Sequence, residues 1–217
     1  MRVAVSLASA DPLRIAEAAE RAATAGASAL HVDFGDGRFV PWLGGGVELV
    51  AALVRLAAIP VDVHLMVEEP EPYFAPLAAA GATSVVAHIE RAPYPWRLRA
   101  LAHRSGMQFG LALNPATPIS DLEPVISCAD YLVLLTTEPD GAGELMLPNT
   151  LERVQAARAL IGPDRALEID GGVTGESLTW PMRAAVDRLV VGRAVLDSAE
   201  PAILIAHLAS GNGVGVR

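Results

Sequence analysis

Cysteine is almost absent from this chain of 217 residues, with Cys128 standing alone. A disulfide within the chain is therefore impossible, and so is a zinc cluster built on thiolates. The neighbours of Cys128, Val125-Ile-Ser-Cys-Ala129, read as a packed helix end, so the thiol is expected in the core. Aromatic residues are scarce too, 5% against 52% hydrophobic overall, which leaves core filling to Ala, Val and Leu. Small and branched aliphatic side chains suit helices laid on a parallel sheet better than a β-sandwich. An excess of positive charge is also missing. A net charge of -9 and an isoelectric point near 5.0 argue against a nucleic-acid surface, although a few local cations could still hold a small anion. No long apolar helix or leader pattern opens the chain, since Met1-Arg-Val-Ala-Val-Ser-Leu7 goes straight into a strand-like run. The expectation is a soluble, cytoplasmic protein with no membrane contact.

What the chain does have is a repeated alternation of strand and helix signals. The first strand runs over Arg2 to Ser9, and Asp11-Pro12 opens an Ala/Glu/Arg-rich helix that stops near Gly26. Further strands are expected at 28–34, 60–66, 83–89, 108–113, 131–135, around 166–170 and at 188–191, with Gly35-Asp-Gly37 as the turn after the second. Helices are expected at 47–58, after Glu68, at 96–105, from Leu147 through about Ile161, at 175–185 and from Gly192-Arg193 onward. About eight of each in this length read as a single-domain (β/α)8 TIM barrel over residues 1–210, with 211–217 as a flexible tail. A doubly wound open sheet is the alternative. In a barrel the chemistry sits at the C-terminal strand ends, and His31, Asp33, His64, His88 and Asp170 all fall there, whereas His103 lies on a predicted helix and reads as a surface residue.

His31 and Asp33 are two apart on one strand and share a face. A buried carboxylate is costly unless paired or bound to a metal. Together with His64 and Asp170 they offer an N/O donor set that suits one divalent ion, Zn²⁺, Fe²⁺, Mn²⁺ or Co²⁺. On residue types alone, a hydrogen-bonded network of His–Asp pairs fits as well. In Ala166-Leu-Glu-Ile-Asp-Gly-Gly-Val173 the strand ends on Asp170, followed by two glycines whose backbone could approach an anion or simply make a tight turn.

The segment His31-Val-Asp-Phe-Gly-Asp-Gly-Arg-Phe-Val-Pro41 resembles the second-strand motif of the ribulose-phosphate 3-epimerase family. Asp62-Val-His-Leu-Met-Val67 is similar to that family's third-strand motif, Leu113-Asn-Pro-Ala-Thr-Pro118 to its fifth, Ile169-Asp-Gly-Gly-Val173 to its seventh and Ser6-Leu-Ala-Ser-Ala-Asp11 to its first. The matches run in order over nearly the whole chain. The resemblance implies His31, Asp33, His64 and Asp170 as ligands of one divalent metal ion. Asp33 and Asp170 would also be the acid/base pair, working on opposite faces of the sugar. It implies Ser9, His64 and Met66 at the substrate, Gly141 and Gly143 in a closing sixth loop, and Gly171, Gly172, Gly192 and Arg193 around a phosphate. The implied activity is C3 epimerisation of a ketose phosphate, D-ribulose 5-phosphate to D-xylulose 5-phosphate, through a cis-enediolate, by a homo-oligomer (dimer or hexamer).

Three departures bear on substrate choice. Gly35 stands where the family usually carries Met, so part of an apolar wall is missing. The sixth loop, Thr137-Glu-Pro-Asp-Gly-Ala-Gly-Glu144, adds three carboxylates to a segment that usually closes over phosphate. Gly192-Arg193 replaces Gly-Ser, and Arg is the stronger phosphate partner. A Gly-Arg pair here is similar to related barrel decarboxylases and hexulose-phosphate synthases, but those carry Asp-x-Lys-x-x-Asp on the third strand, where this chain has Asp62-Val-His64. The alternatives kept are the same chemistry on another ketose phosphate (such as D-allulose 6-phosphate) or on a sugar without phosphate, and an idle barrel that binds a metabolite.

Overall fold

The computed structural model describes residues 1–142 and 145–210, so Gly143, Glu144 and the expected tail at 211–217 lie outside the described residues. Eight parallel strands follow one another around a closed barrel: β1 Arg2–Ser6, β2 Ala29–Asp36, β3 Val61–Met66, β4 Ser84–His88, β5 Gln108–Leu113, β6 Tyr131–Leu135, β7 Ala166–Asp170 and β8 Arg188–Val191. β1 pairs with both β2 and β8, which closes the sheet and excludes the open doubly wound alternative. The outer helices are α1 Ile15–Thr24, α2 Val47–Leu56, α3 Phe74–Ala80, α4 Pro95–Arg104, α5 Thr150–Ile161, α6 Trp180–Ala185, α7 Arg193–Leu196 and α8 Pro201–Ala209. After β5 two 3₁₀ turns, Ile119–Leu122 and Ile126–Cys128, take the place of a helix, and Cys128 is fully buried in the second.

Alternation along the strands divides the core in two. Residues of one parity, such as Val3 and Val5, Leu30 and Val32, Val63 and Leu65, or Leu167 and Ile169, join the helices in one continuous apolar layer. Full burial of each such side chain contributes about 1.5–3 kcal/mol, so this outer layer carries most of the stability. The opposite parity lines the barrel, where apolar contact is limited to two small groups, Ala4 with Ala29 and Val190, and Val86 with Ala112, Tyr131 and Val133. Ser6, His31, Asp33, Asp62, His64, Ser84, His88, Glu168 and Arg188 give the lining its polar character, with Met66 an apolar exception near the mouth.

Below the strand ends, Arg188 makes ion pairs with Asp62 at 2.5 Å and Glu168 at 2.8 Å. Ser84 donates to Asp62 at 2.8 Å, and Tyr131 donates to Ser84 at 3.1 Å. The guanidinium also lies over an aromatic face, 5.9 Å from the Tyr131 ring centre.

The boundaries differ from the sequence reading in four places, each for a local reason. β1 stops at Ser6 because the Ser6 hydroxyl turns back to accept the Ala8 N–H. β2 runs on to Asp36 because Leu43–Gly44 adds a short antiparallel pairing at Gly35 and Asp36. The helix expected over 175–185 begins only at Trp180. Before it, Thr174 and Ser177 exchange side-chain-to-backbone hydrogen bonds that hold a turn. The last helix is split: α7 ends at Leu196 and α8 restarts at Pro201, with Ser198 accepting the Glu200 N–H between them.

Arg188→Met should remove about 3–5 kcal/mol of unfolding free energy, because it strands two buried carboxylates. Burial already holds Glu168 above the usual carboxylate range even with Arg188 beside it. In the variant the folded state therefore binds protons before the unfolded state does, and the deficit should shrink as pH falls towards 4. Urea titrations of both proteins across pH 4–8 check the size and the sign.

Candidate active site

His31 and Asp33 on β2, His64 on β3 and Asp170 at the end of β7 bring one donor atom each to within 4.8 Å of the others. Strand register does this, since Asp33 pairs directly with His64, and the inward parity of β7 ends on Asp170. His31 Nε2 lies 3.4 Å from Asp33 Oδ1 and 3.8 Å from Asp170 Oδ2. His64 Nδ1 lies 3.4 and 3.3 Å from the same two oxygens. None of these separations is a formed hydrogen bond: His31 Nδ1 and Nε2 and His64 Nδ1 are buried without a hydrogen-bond partner. Unpaired buried nitrogen is unfavourable by about 1–3 kcal/mol per atom. Donors bound at about 2.1 Å to one ion at tetrahedral angles sit about 3.4 Å apart. The donor set, its spacing and its unpaired nitrogens therefore all fit a divalent cation.

Electrostatics points the same way. Burial pulls the His64 pKa down, but Asp170 and Asp33 outweigh it and hold the ring at about 9. His31 is raised by the same contest between burial and the two carboxylates, with Asp33 the larger contributor. Burial raises Asp33, yet His31 and His64 together pull it far below the ordinary carboxylate range. The cluster attracts positive charge, whether as protons or as a metal ion.

Two further residues orient this cluster. His64 Nε2 meets His88 Nε2 at 2.9 Å, their rings stack 5.0 Å apart, and His88 Nδ1 meets Glu90 Oε2 at 3.2 Å. Burial lowers His88 to about 4, and Glu90, drawn down chiefly by hydrogen bonds from His88 and Thr117 against its own burial, sits at about 2. His88 is thus neutral with its proton towards Glu90, so its Nε2 accepts from His64 Nε2–H. When a metal ion takes the place of the second proton on His64, this arrangement turns the Nδ1 lone pair towards the carboxylates, as a metal ligand requires. On the other side the Ser6 hydroxyl donates to Asp33 Oδ2 at 2.7 Å and fixes that carboxylate.

The cluster opens into a cavity of about 1010 Å³ at the C-terminal strand ends. Ser9, Met66, Gly141, Gly171, Gly172, Gly192 and Arg193 all border it, together with Asp33 and Asp170. Gly171 and Gly172 have φ of 107° and 62°, and a Cβ on either would collide with the sixth loop, at Thr137 and Met146 respectively. Both must be glycine for that loop to lie against β7. Of the loop's added carboxylates, Glu138 borders the cavity, whereas Asp140 accepts the Ala142 N–H at 2.8 Å. Gly143 and Glu144 lie outside the described residues. His103 sits apart on α4, exposed and 2.7 Å from Asp130.

Sequence reasoning placed His88 at a strand end but gave it no role, and passed over Ser6, Glu90 and Trp42. Ser6 and His88 could have been found by inward parity. Trp42 had no such signal, because its partners are glycines and a carbonyl distant in sequence.

The sequence model of the ribulose-phosphate 3 epimerase family matches residues 2–196. The ribulose-phosphate 3-epimerase of Synechocystis sp. is 35% identical over 209 residues, covering 94% of this chain and 91% of that protein. The enzyme of the same name from Bacillus subtilis is 32% identical over 204 residues, covering 92% and 94%. Among solved structures, 3-hexulose-6-phosphate synthase from Salmonella typhimurium superposes with a TM-score of 0.76 at 14% identity, over 97% of this chain and 98% of that one. Likeness at that level of identity speaks to the barrel alone.

Purified protein saturated with Mn²⁺ or Zn²⁺ and then desalted should retain one ion per chain, and His64→Ala should retain well under that. Glu90→Gln, which leaves every ligand in place, should weaken metal affinity by roughly 10–100-fold. Elemental analysis and chelator competition read both, and full retention by His64→Ala would exclude the site.

Proposed function

The chain belongs to the ribulose-phosphate 3 epimerase family, and from that premise we propose that it is a metal-dependent 3-epimerase of a ketose phosphate, interconverting D-ribulose 5-phosphate and D-xylulose 5-phosphate. The observation that carries the reading is the meeting of two carboxylates with two buried imidazole nitrogens at the floor of a cavity whose rim is Gly171-Gly172 and Gly192-Arg193. His31, Asp33, His64 and Asp170 would hold the ion, and what a divalent cation supplies there is polarisation of the substrate ketone.

Asp33 and Asp170 come from strands separated by β1 and β8. A planar enediolate lying between them would present one face to each. One carboxylate enters turnover ionised and takes the proton from C3, while the other enters protonated and delivers its proton to the opposite face, which inverts the carbon. The reverse reaction exchanges the roles. Ser6 steadies Asp33 for this transfer, and Met66, 4% exposed, shields one side of the substrate from water. Ser9 would meet substrate hydroxyls. The open backbone of Gly171, Gly172 and Gly192, with the Arg193 guanidinium, would receive the phosphate. The same reading carries the expectation of a cytoplasmic homo-oligomer.

Glu138 at the cavity supports a second reading, with unchanged proton transfer, because a carboxylate near a phosphate dianion is unfavourable. That reading takes another ketose phosphate, such as D-allulose 6-phosphate, or a sugar without phosphate.

Asp33→Asn and Asp170→Asn should each lower kcat by about 10²–10⁴-fold or more. Wild-type turnover of D-ribulose 5-phosphate in D₂O should place deuterium at C3, and turnover without that label would exclude the enediolate route. Arg193→Ser should raise the inhibition constant of inorganic phosphate and the KM for the sugar phosphate while leaving metal content unchanged. An unaltered phosphate constant would move the assignment to the substrate without phosphate.

A further inference from the structure

Position 35 is the last inward-facing place on β2, in register with Met66 on β3, and it has no side chain. The space is filled from elsewhere. A Cβ built on Gly35 would lie 2.5 Å from two carbons of the Trp42 ring, and one on Gly44 would lie 2.7 Å from the ring. Gly35 and Gly44 pair across the short antiparallel ladder, so the half-buried indole lies flat against two bare stretches of backbone. The turn that carries it is closed by a 3.0 Å hydrogen bond from Gly37 N–H to the Trp42 carbonyl.

The same indole reaches across the mouth of the barrel. Its Nε1–H donates to the Pro139 carbonyl at 3.0 Å, and a Cβ on Gly141 would come within 3.1 Å of its Cδ1. The root of the sixth loop is fastened independently, with Thr136 N–H donating to Asp170 O and Leu147 N–H to Thr136 O, both at 2.8 Å. The arm at 138–141 is therefore attached to the opposite rim through Trp42. The ring borders the cavity that holds Asp33, Met66 and Asp170.

We propose that Trp42 is a specificity-determining residue, a rigid wall that takes the volume left by Gly35, narrows the substrate cavity from the second-loop side and fixes the sixth loop against it. The proposal rests on the ketose phosphate reading. A wide, inflexible ring in that place limits the length and branching of the sugar chain that can lie between Met66 and the sixth loop, favouring a five-carbon over a six-carbon ketose phosphate. Removing the ring opens volume without touching either carboxylate or any donor of the metal cluster. A phenylalanine lacks the N–H and frees the loop while leaving an aromatic ring as the larger part of the wall.

Trp42→Ala and Trp42→Phe separate the two effects, with circular dichroism showing that each folds. The first measurement is the ratio of kcat/KM for D-ribulose 5-phosphate to that for a six-carbon ketose 6-phosphate. It should fall about tenfold in Trp42→Ala, the scale on which a few apolar carbons discriminate, and stay within about threefold in Trp42→Phe. The second needs no substrate: amide hydrogen exchange of residues 137–142 should speed up roughly five- to tenfold in both variants, the factor that one hydrogen bond carries. A wild-type ratio in Trp42→Ala overturns the specificity role, and unchanged exchange in Trp42→Phe overturns the fixing of the loop. Wild-type protein inactive on every ketose phosphate would instead sink the epimerase reading, and the exchange result would still decide whether Trp42 holds the loop.

Discussion

Carboxylates turned into the interior of a closed barrel set the terms for the rest of this structure. Asp33, Asp62, Glu168 and Asp170 all project inward, and each must find positive charge or donors to remain ionised there. The lower pair shares the single positive charge of Arg188, with Ser84 and Tyr131 completing the network. The upper pair faces two imidazoles instead. Guanidinium keeps its charge at every accessible pH, whereas an imidazolium can give up its proton and bind a metal ion, so the lower layer is locked and the upper layer is chemically available.

Such an interior is tolerable because stability is supplied elsewhere. The continuous apolar layer between strands and helices supplies most of what holds the barrel closed. The lining is then free to hold polar groups at fixed positions, and backbone register sets those positions closely. His88 and Glu90 extend this division of labour. Lying beside the cluster and bonded to His64, they choose which ring nitrogen of His64 keeps a lone pair.

The mouth of the barrel follows a different logic, in which backbone without side chains makes room for loops to touch. Gly171 and Gly172 let the sixth loop lie on β7, while Gly35 and Gly44 leave a slot for Trp42. Where Gly35 leaves no side chain, the indole seven residues later occupies the space. The contacts with Gly35 and with the Pro139 carbonyl come from the same ring.

The barrel and its strand order were legible from the sequence, because they depend on local and periodic signals. Alternating apolar residues mark strands and Pro and Gly mark helix ends, which places His31, Asp33, His64, His88 and Asp170 at strand ends, while resemblance to the family singled out four of them as ligands. Gly171 and Gly172 were legible as a pair beside a strand end, whereas Gly141 and Gly192 came from the family resemblance. Tertiary structure alone decided which groups meet across the barrel. The His64–His88–Glu90 relay, the Arg188 ion pairs with Asp62 and Glu168, and the contact of Trp42 with Pro139 join residues from 20 to 126 positions apart for the ion pairs, 24 for His64 and His88, and 97 for Trp42 and Pro139. The physical reason is that periodicity fixes the face on which a side chain lies. Barrel closure and strand stagger fix what stands opposite that face, and no local pattern encodes either.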